Sequence, residues 1–150
     1  MFRGAAKVTI DDKGRVVVPT RYRDELAAPA AGRVFVVGDR EGCLLIYPAP
    51  EWERYEEGLD DDPRLPLEER RVNRNLLANA EEVSLDSHGR LALTPAQRDF
   101  AGLSRSALVV GVRKHLELWD EGRWKAQQEQ WRQAALGAPS APAAGTSSSQ

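Results

Sequence analysis

The chain has 150 residues, 41% of them hydrophobic and 29% charged, and a formal net charge of -2. That length supports one ordinary domain or two very small ones, and no stretch approaches the ~20 apolar residues of a membrane-spanning helix. The acidic total departs from the basic balance of most compact nucleic-acid binders, although binding depends on where the cations sit. A single cysteine, Cys43, excludes an intramolecular disulfide, and its apolar neighbours predict a buried thiol.

Residues 1–10 carry neither a long apolar run nor a signal-cleavage pattern, so a soluble cytoplasmic chain is expected. Residues 8–10 and 15–18 are short β-branched runs around a polar glycine turn, which predicts a hairpin. A short helix is expected over 19–26, then strands over 33–38 and 43–47, with Gly38 and Gly42 bracketing their loop. The run "EWERYEEGL" places Trp52, Tyr55 and Leu59 at i, i+3, i+7 on one helix face. "DDDPRLP" at 60–66 reads as a loop. Residues 67–80 read as a helix with Val72, Leu76 and Ala80 on one face and Arg70, Arg71 and Arg74 on the other.

The second half opens on another glycine turn, followed by a helix over 94–101 with Thr94 as N-cap and Pro95 at the first helical position. Strands are expected over 107–112 and 115–119. Asp120 can then cap a helix carrying Trp124 and Trp131 one heptad apart, aromatics suited to core or subunit packing. The tail from Gly137, rich in Pro, Ala and Ser, is expected to be disordered.

The two halves repeat each other. At an offset of 75, Val8/Val83, Asp11/Asp86, Gly14/Gly89, Arg15/Arg90, Arg23/Arg98 and Asp24/Asp99 are identical. "VVG" recurs at an offset of 73, and the pattern Leu, any residue, Ile or Leu, aromatic, four residues, Trp recurs at 72. Each repeat reads as strand, strand, short helix, strand, strand. The expected division is repeat one over 5–49, a helical linker over 50–80, repeat two over 81–122, a helix over 123–136 and a tail over 137–150. A repeat of ~45 residues cannot easily bury its own apolar face, but two can bury their faces against each other.

The turns concentrate the chemistry. Gly14 and Gly89 suit a positive φ. Asp11 and Asp86 can accept turn N–H groups and face Arg15 and Arg90. Lys13 adds a cation at the first turn, where the second has His88. Spacing alone leaves two readings open: a structural Asp–Arg brace, or an arginine preorganised for phosphate or a guanine edge. His88 and His115, the only histidines, form no metal-spaced cluster, and no Gly-rich phosphate loop is present, so neither an enzyme nor a cofactor is expected.

The motifs "MFRG", "DDKGRVVVPTRYR", "CLLIYPAPEWE", "ERRVNRNLLANA", "DSHGRLALTPAQRDFAGL" and "LELWDEGRW", in this order over residues 1–131, resemble the MraZ family of bacterial transcriptional regulators. The resemblance implies a mainly β (α+β) fold with short helices, an AbrB-type swapped-hairpin β-barrel built from two tandem repeats. It implies a homo-oligomeric ring that binds double-stranded DNA at short promoter repeats of the division and cell-wall gene cluster, its own promoter included, at the nucleoid. DNA contacts would fall on Lys13, Arg15 and Arg90, with Asp11, Gly14, Asp86 and Gly89 organising the turns. No membrane or small-molecule substrate is implied. The alternative reading is an antitoxin-type interaction module, which AbrB-like folds also resemble.

Overall fold

The computed structural model describes residues 1–137. The tail expected to be disordered lies outside them, except Gly137, which ends the last helix. Residues 1–120 form one compact unit, and among the described residues Glu121–Gly137 belong to a second.

In the first unit the elements run β1 (Ala5–Thr9), β2 (Arg15–Val17), α1 (Thr20–Ala27), a 3-10 turn (Ala28–Ala30), β3 (Arg33–Gly38) and β4 (Leu44–Pro48). They continue with α2 (Ala49–Glu57), α3 (Leu67–Ala78), β5 (Glu81–Ser84), β6 (Arg90–Ala92), α4 (Pro95–Ala101), β7 (Ser106–Val112) and β8 (His115–Asp120). The fold is mainly β with short helices, and each repeat has the expected order of strand, strand, helix, strand, strand.

Six strands make an antiparallel sheet in the order β1-β7-β8-β4-β3-β5, and β2 and β6 make a separate two-stranded ribbon. The ladder is therefore open, with β1 and β5 at its edges, and does not close into a barrel of continuous strand pairs. The ribbon instead roofs one face. Val16 and Leu91 at its centre join Val34, Val36, Leu44, Ile46, Leu116 and Leu118 in a single buried cluster. Strand alternation explains the arrangement, since successive side chains point to opposite faces.

The expected hairpin of residues 8–18 also takes a different form. Its closing end is present, with Ile10 bridging Val16. Beyond that rung the arms separate, β1 pairing with β7 and β2 with β6. A three-residue β2 cannot cover the five residues of β1. Each arm instead finds a longer ladder or an apolar roof position in the other repeat.

The exchange follows an internal twofold. Val8 faces Ala107, and the equivalent Val83 faces Val34. On the axis lie two self-related rungs, Val16 opposite Leu91 and Leu45 opposite Glu117.

Helix ends differ from expectation by a residue or two, and two of them change which residues share a helix face. α2 stops at Glu57 with Gly58 as its C-cap, so Leu59 lies beyond it. Trp52 is fully buried, its ring 6.1 Å from Phe35 and 5.4 Å from Tyr47, while Tyr55 is 47% exposed. α3 stops at Ala78, so Ala80 lies outside, and none of its residues is fully buried. Cys43 is buried just before β4, and burial, reinforced by the nearby Glu117 charge, pushes its thiol pKa far up. Thr94 caps α4 as expected, in a reciprocal box with Gln97 (3.1 and 2.9 Å).

The second unit contains α5 (Glu121–Gly137), on which Trp131 is 72% and Leu136 73% exposed. Among the described residues, no helix is long and apolar enough to cross a membrane.

Candidate functional site

The two glycine turns are near-copies. In the first, Asp11 Oδ1 accepts the backbone N–H groups of Lys13 (2.9 Å) and Arg15 (2.8 Å), and Oδ2 accepts Arg15 Nε (2.8 Å). In the second, Asp86 Oδ1 accepts the N–H groups of His88 (2.8 Å) and Arg90 (2.9 Å), and Oδ2 accepts Arg90 Nε (2.7 Å). The backbone closes each loop: Asp11 N–H donates to Arg15 O at 2.9 Å and Asp86 N–H to Arg90 O at 3.0 Å.

Gly14 and Gly89 stand at φ 80° and 75°, the left-handed region that glycine enters without a Cβ clash. The Asp11 carboxyl is held below its ordinary pKa, chiefly by the Arg15 N–H. Asp86 is lowered to about 2, chiefly by the Arg90 N–H. Both braces thus keep their negative charge, and their hold on the arginines, across the whole neutral range.

Each arginine spends Nε on its aspartate. Among the described residues, no hydrogen bond engages Nη1 or Nη2 of Arg15 or Arg90. Their side chains are 33% and 30% exposed. The ribbon decides their direction. Val16 and Leu91 point inward, so Arg15, Val17, Arg90 and Ala92 share the outward face. Arg15 pairs with Ala92 and Val17 with Arg90, which puts the two arginines on one diagonal. Such diagonal neighbours lie about 7–8 Å apart. Lys13 is exposed at the tip of the first turn, and His88 takes its place in the second. The structure thus brings Arg15 and Arg90, far apart in sequence, onto one small surface.

Two further arginines belong to these turns. A Cβ built on Gly14 would fall 2.6 Å from Arg98 Nε and 2.9 Å from Leu93 O. A Cβ on Gly89 would meet Arg23, with Cζ at 2.6 Å. Sequence reasoning registered Arg23 and Arg98 only as an identical pair. Their spatial partners lie in the opposite repeat, so spacing within a repeat could not show them.

The sequence matches a family model described as "MraZ protein, putative antitoxin-like" over residues 1–75 and again over 76–146. The chain belongs to the MraZ family. It is similar to proteins named transcriptional regulator MraZ in Thioalkalivibrio sulfidiphilus, at 45% identity over 87% of each chain. The corresponding Pseudomonas aeruginosa protein is 44% identical over 86% of each chain. That of Verminephrobacter eiseniae is 39% identical over 91% of this chain and 94% of its own. The MraZ match falls twice on the chain, as the repeat does, and each match contains one Asp-braced arginine turn.

Proposed function

We propose that this MraZ-family chain is a sequence-specific DNA-binding transcriptional regulator whose contact surface is the outward face of the β2–β6 ribbon. The observation that carries the reading is the pair of equivalent arginines on that face, each braced through Nε by an aspartate and each with two Nη groups that make no hydrogen bond among the described residues. The names of the relatives point to the same role. B-DNA's major groove, about 12 Å wide, admits a two-stranded β-ribbon, and arginine donors match guanine O6 and N7 or phosphate oxygens. Lys13 adds a phosphate contact at the first turn, so the first turn grips harder than the second.

The rest of the reading comes from the family resemblance. The protein acts as a homo-oligomeric ring on repeated promoter sites of the division and cell-wall gene cluster, including its own promoter, at the nucleoid. Residues 5–49 and 81–122 are then the two DNA-binding repeats, joined by the linker 50–80. A ring multiplies one weak contact per chain by raising the effective concentration of its neighbours, which suits an acidic chain with a small cationic face.

The test is fluorescence anisotropy on a labelled fragment of the protein's own promoter, with competitor DNA and a salt series. Arg15→Ala should remove most specific binding while leaving the circular dichroism spectrum and elution volume unchanged. Arg90→Ala should have an equal or smaller effect. Wild-type affinity should fall steeply with salt, by about 0.9 log units per log unit of salt for each phosphate contact. Binding that resists both substitutions and is independent of salt refutes the reading. The antitoxin-type alternative draws on the wording of the family description. It predicts one stoichiometric protein partner in a pull-down and no promoter binding.

A further inference from the structure

We infer that each Asp-braced turn is held from behind by an arginine of the opposite repeat, Arg98 positioning the turn of Arg15 and Arg23 positioning the turn of Arg90.

The geometry is reciprocal. Arg98 Nε and Cζ occupy the space that a side chain at residue 14 would fill, and Arg23 does the same at residue 89. The turn glycines therefore answer two demands, a positive φ and the close approach of a guanidinium. Nε of Arg23 and Nε of Arg98 are both buried and have no hydrogen-bond partner among the described residues. Buried donors are ordinarily paired. A guanidinium that forgoes an acceptor on this side is kept there by its close fit into the space beside the turn glycine. Lysine's tetrahedral ammonium cannot reproduce that packing.

The ribbon delivers each brace to its turn. Leu93 N–H donates to Gly14 O, and Val18 N–H donates to Gly89 O, each at 2.9 Å. Leu93 directly precedes Thr94, whose capping box fixes the start of α4 and so the position of Arg98. α1 has no side-chain cap. There Arg23 is tied by its own Nη2, which donates to Val18 O at 3.0 Å. The two braces are anchored by different means and reach the same place.

The consequence for DNA binding rests on the reading of Arg15 and Arg90 given above. Arg98 lies eight residues from Arg90 in the chain but serves Arg15, and Arg23 lies eight from Arg15 but serves Arg90. Neither repeat has a complete site on its own.

Two measurements on the full chain test this. Hydrogen exchange followed by mass spectrometry should show faster exchange of the amides at 11–15 in Arg98→Lys, with 86–90 unchanged. Arg23→Lys should give the reverse. Equal loosening of both turns, or of neither, overturns the inference, whatever the protein binds. In the promoter assay, Arg98→Lys should weaken binding without changing the salt slope, because the positive charge remains. Its effect should be less than additive with Arg15→Ala and additive with Arg90→Ala. Coupling to Arg90 in place of Arg15 overturns the inference. Should Arg15→Ala and Arg90→Ala both leave promoter binding intact, the DNA reading falls and the exchange data alone decide the brace.

Discussion

Val16 and Val17 are neighbours in a three-residue strand, yet truncating them should have very different outcomes. Val16 is 1% exposed and Val17 is 47% exposed. Val16→Ala removes two buried methyl groups, about 0.8 kcal/mol each in transfer terms. The roof of the core cannot collapse fully onto the gap, because Val16 is pinned opposite Leu91 on the axis. Adding the cavity contribution gives about 2–3 kcal/mol. Val17→Ala takes away atoms that water already touches, and its cost should stay within about 0.5 kcal/mol. In urea, followed by far-ultraviolet circular dichroism, the first variant should lower the midpoint by about 1 M or more with an unchanged slope, and the second should leave it nearly in place. If the two variants shift equally, or Val16→Ala falls below about 0.5 kcal/mol, the ribbon is not the roof of the core. The burial argument for the outward face of Arg15 and Arg90 then fails with it.

Two other outcomes follow from the turns. Gly14→Ala meets both a φ of 80° and the Leu93 carbonyl at 2.9 Å. It should cost about 2–5 kcal/mol from backbone strain and overpacking. Gly58→Ala, at φ -82° with its nearest contact at 3.4 Å, should change stability by no more than about 1 kcal/mol. Thermal melts of the two variants check the contrast. Asp86 has a folded pKa near 2, below its ordinary 3.8, so its contribution is full above pH 4 and fades as pH falls toward 2. The melting difference between wild type and Asp86→Asn should therefore be constant from pH 7 to 5 and close on further acidification. A gap that persists at pH 2 refutes the charge-based account of the brace.

What the sequence made legible was local chemistry. Asp, Gly and Arg at fixed spacing define a turn whose hydrogen bonds close within five residues, and the structure has those bonds in both copies. Thr94 and Pro95 announced a helix start for the same reason. The pairing of β1 with β7 and of β2 with β6 was not legible, because these partners are chosen across the chain by shared burial. The end of α2 is not legible in the spacing, because Leu59 keeps the helical period although Gly58 ends the helix. Arg23 and Arg98 stood in the repeat alignment from the start. Their role depends on the crossing of the ribbon, which no pattern within one repeat encodes.

The axis rung of Leu45 and Glu117 has a consequence for how such a molecule can change over time. Were the two halves separate, identical chains, whatever sat at this position would face its own copy. A carboxylate there would confront a second carboxylate, and every substitution would be made twice at once. Joining the halves releases that constraint. Glu117 faces Leu45 and accepts a hydrogen bond from Trp119 Nε1 at 2.9 Å. Its pKa is lowered, chiefly by the neighbouring His115, whose Nε2 lies 3.9 Å from its carboxylate. No self-facing pair could hold that combination of apolar and charged partners. Fusion thus gives the chain a freedom that an obligate pair of equals lacks: its two halves can specialise at the very place where symmetry would bind them most tightly.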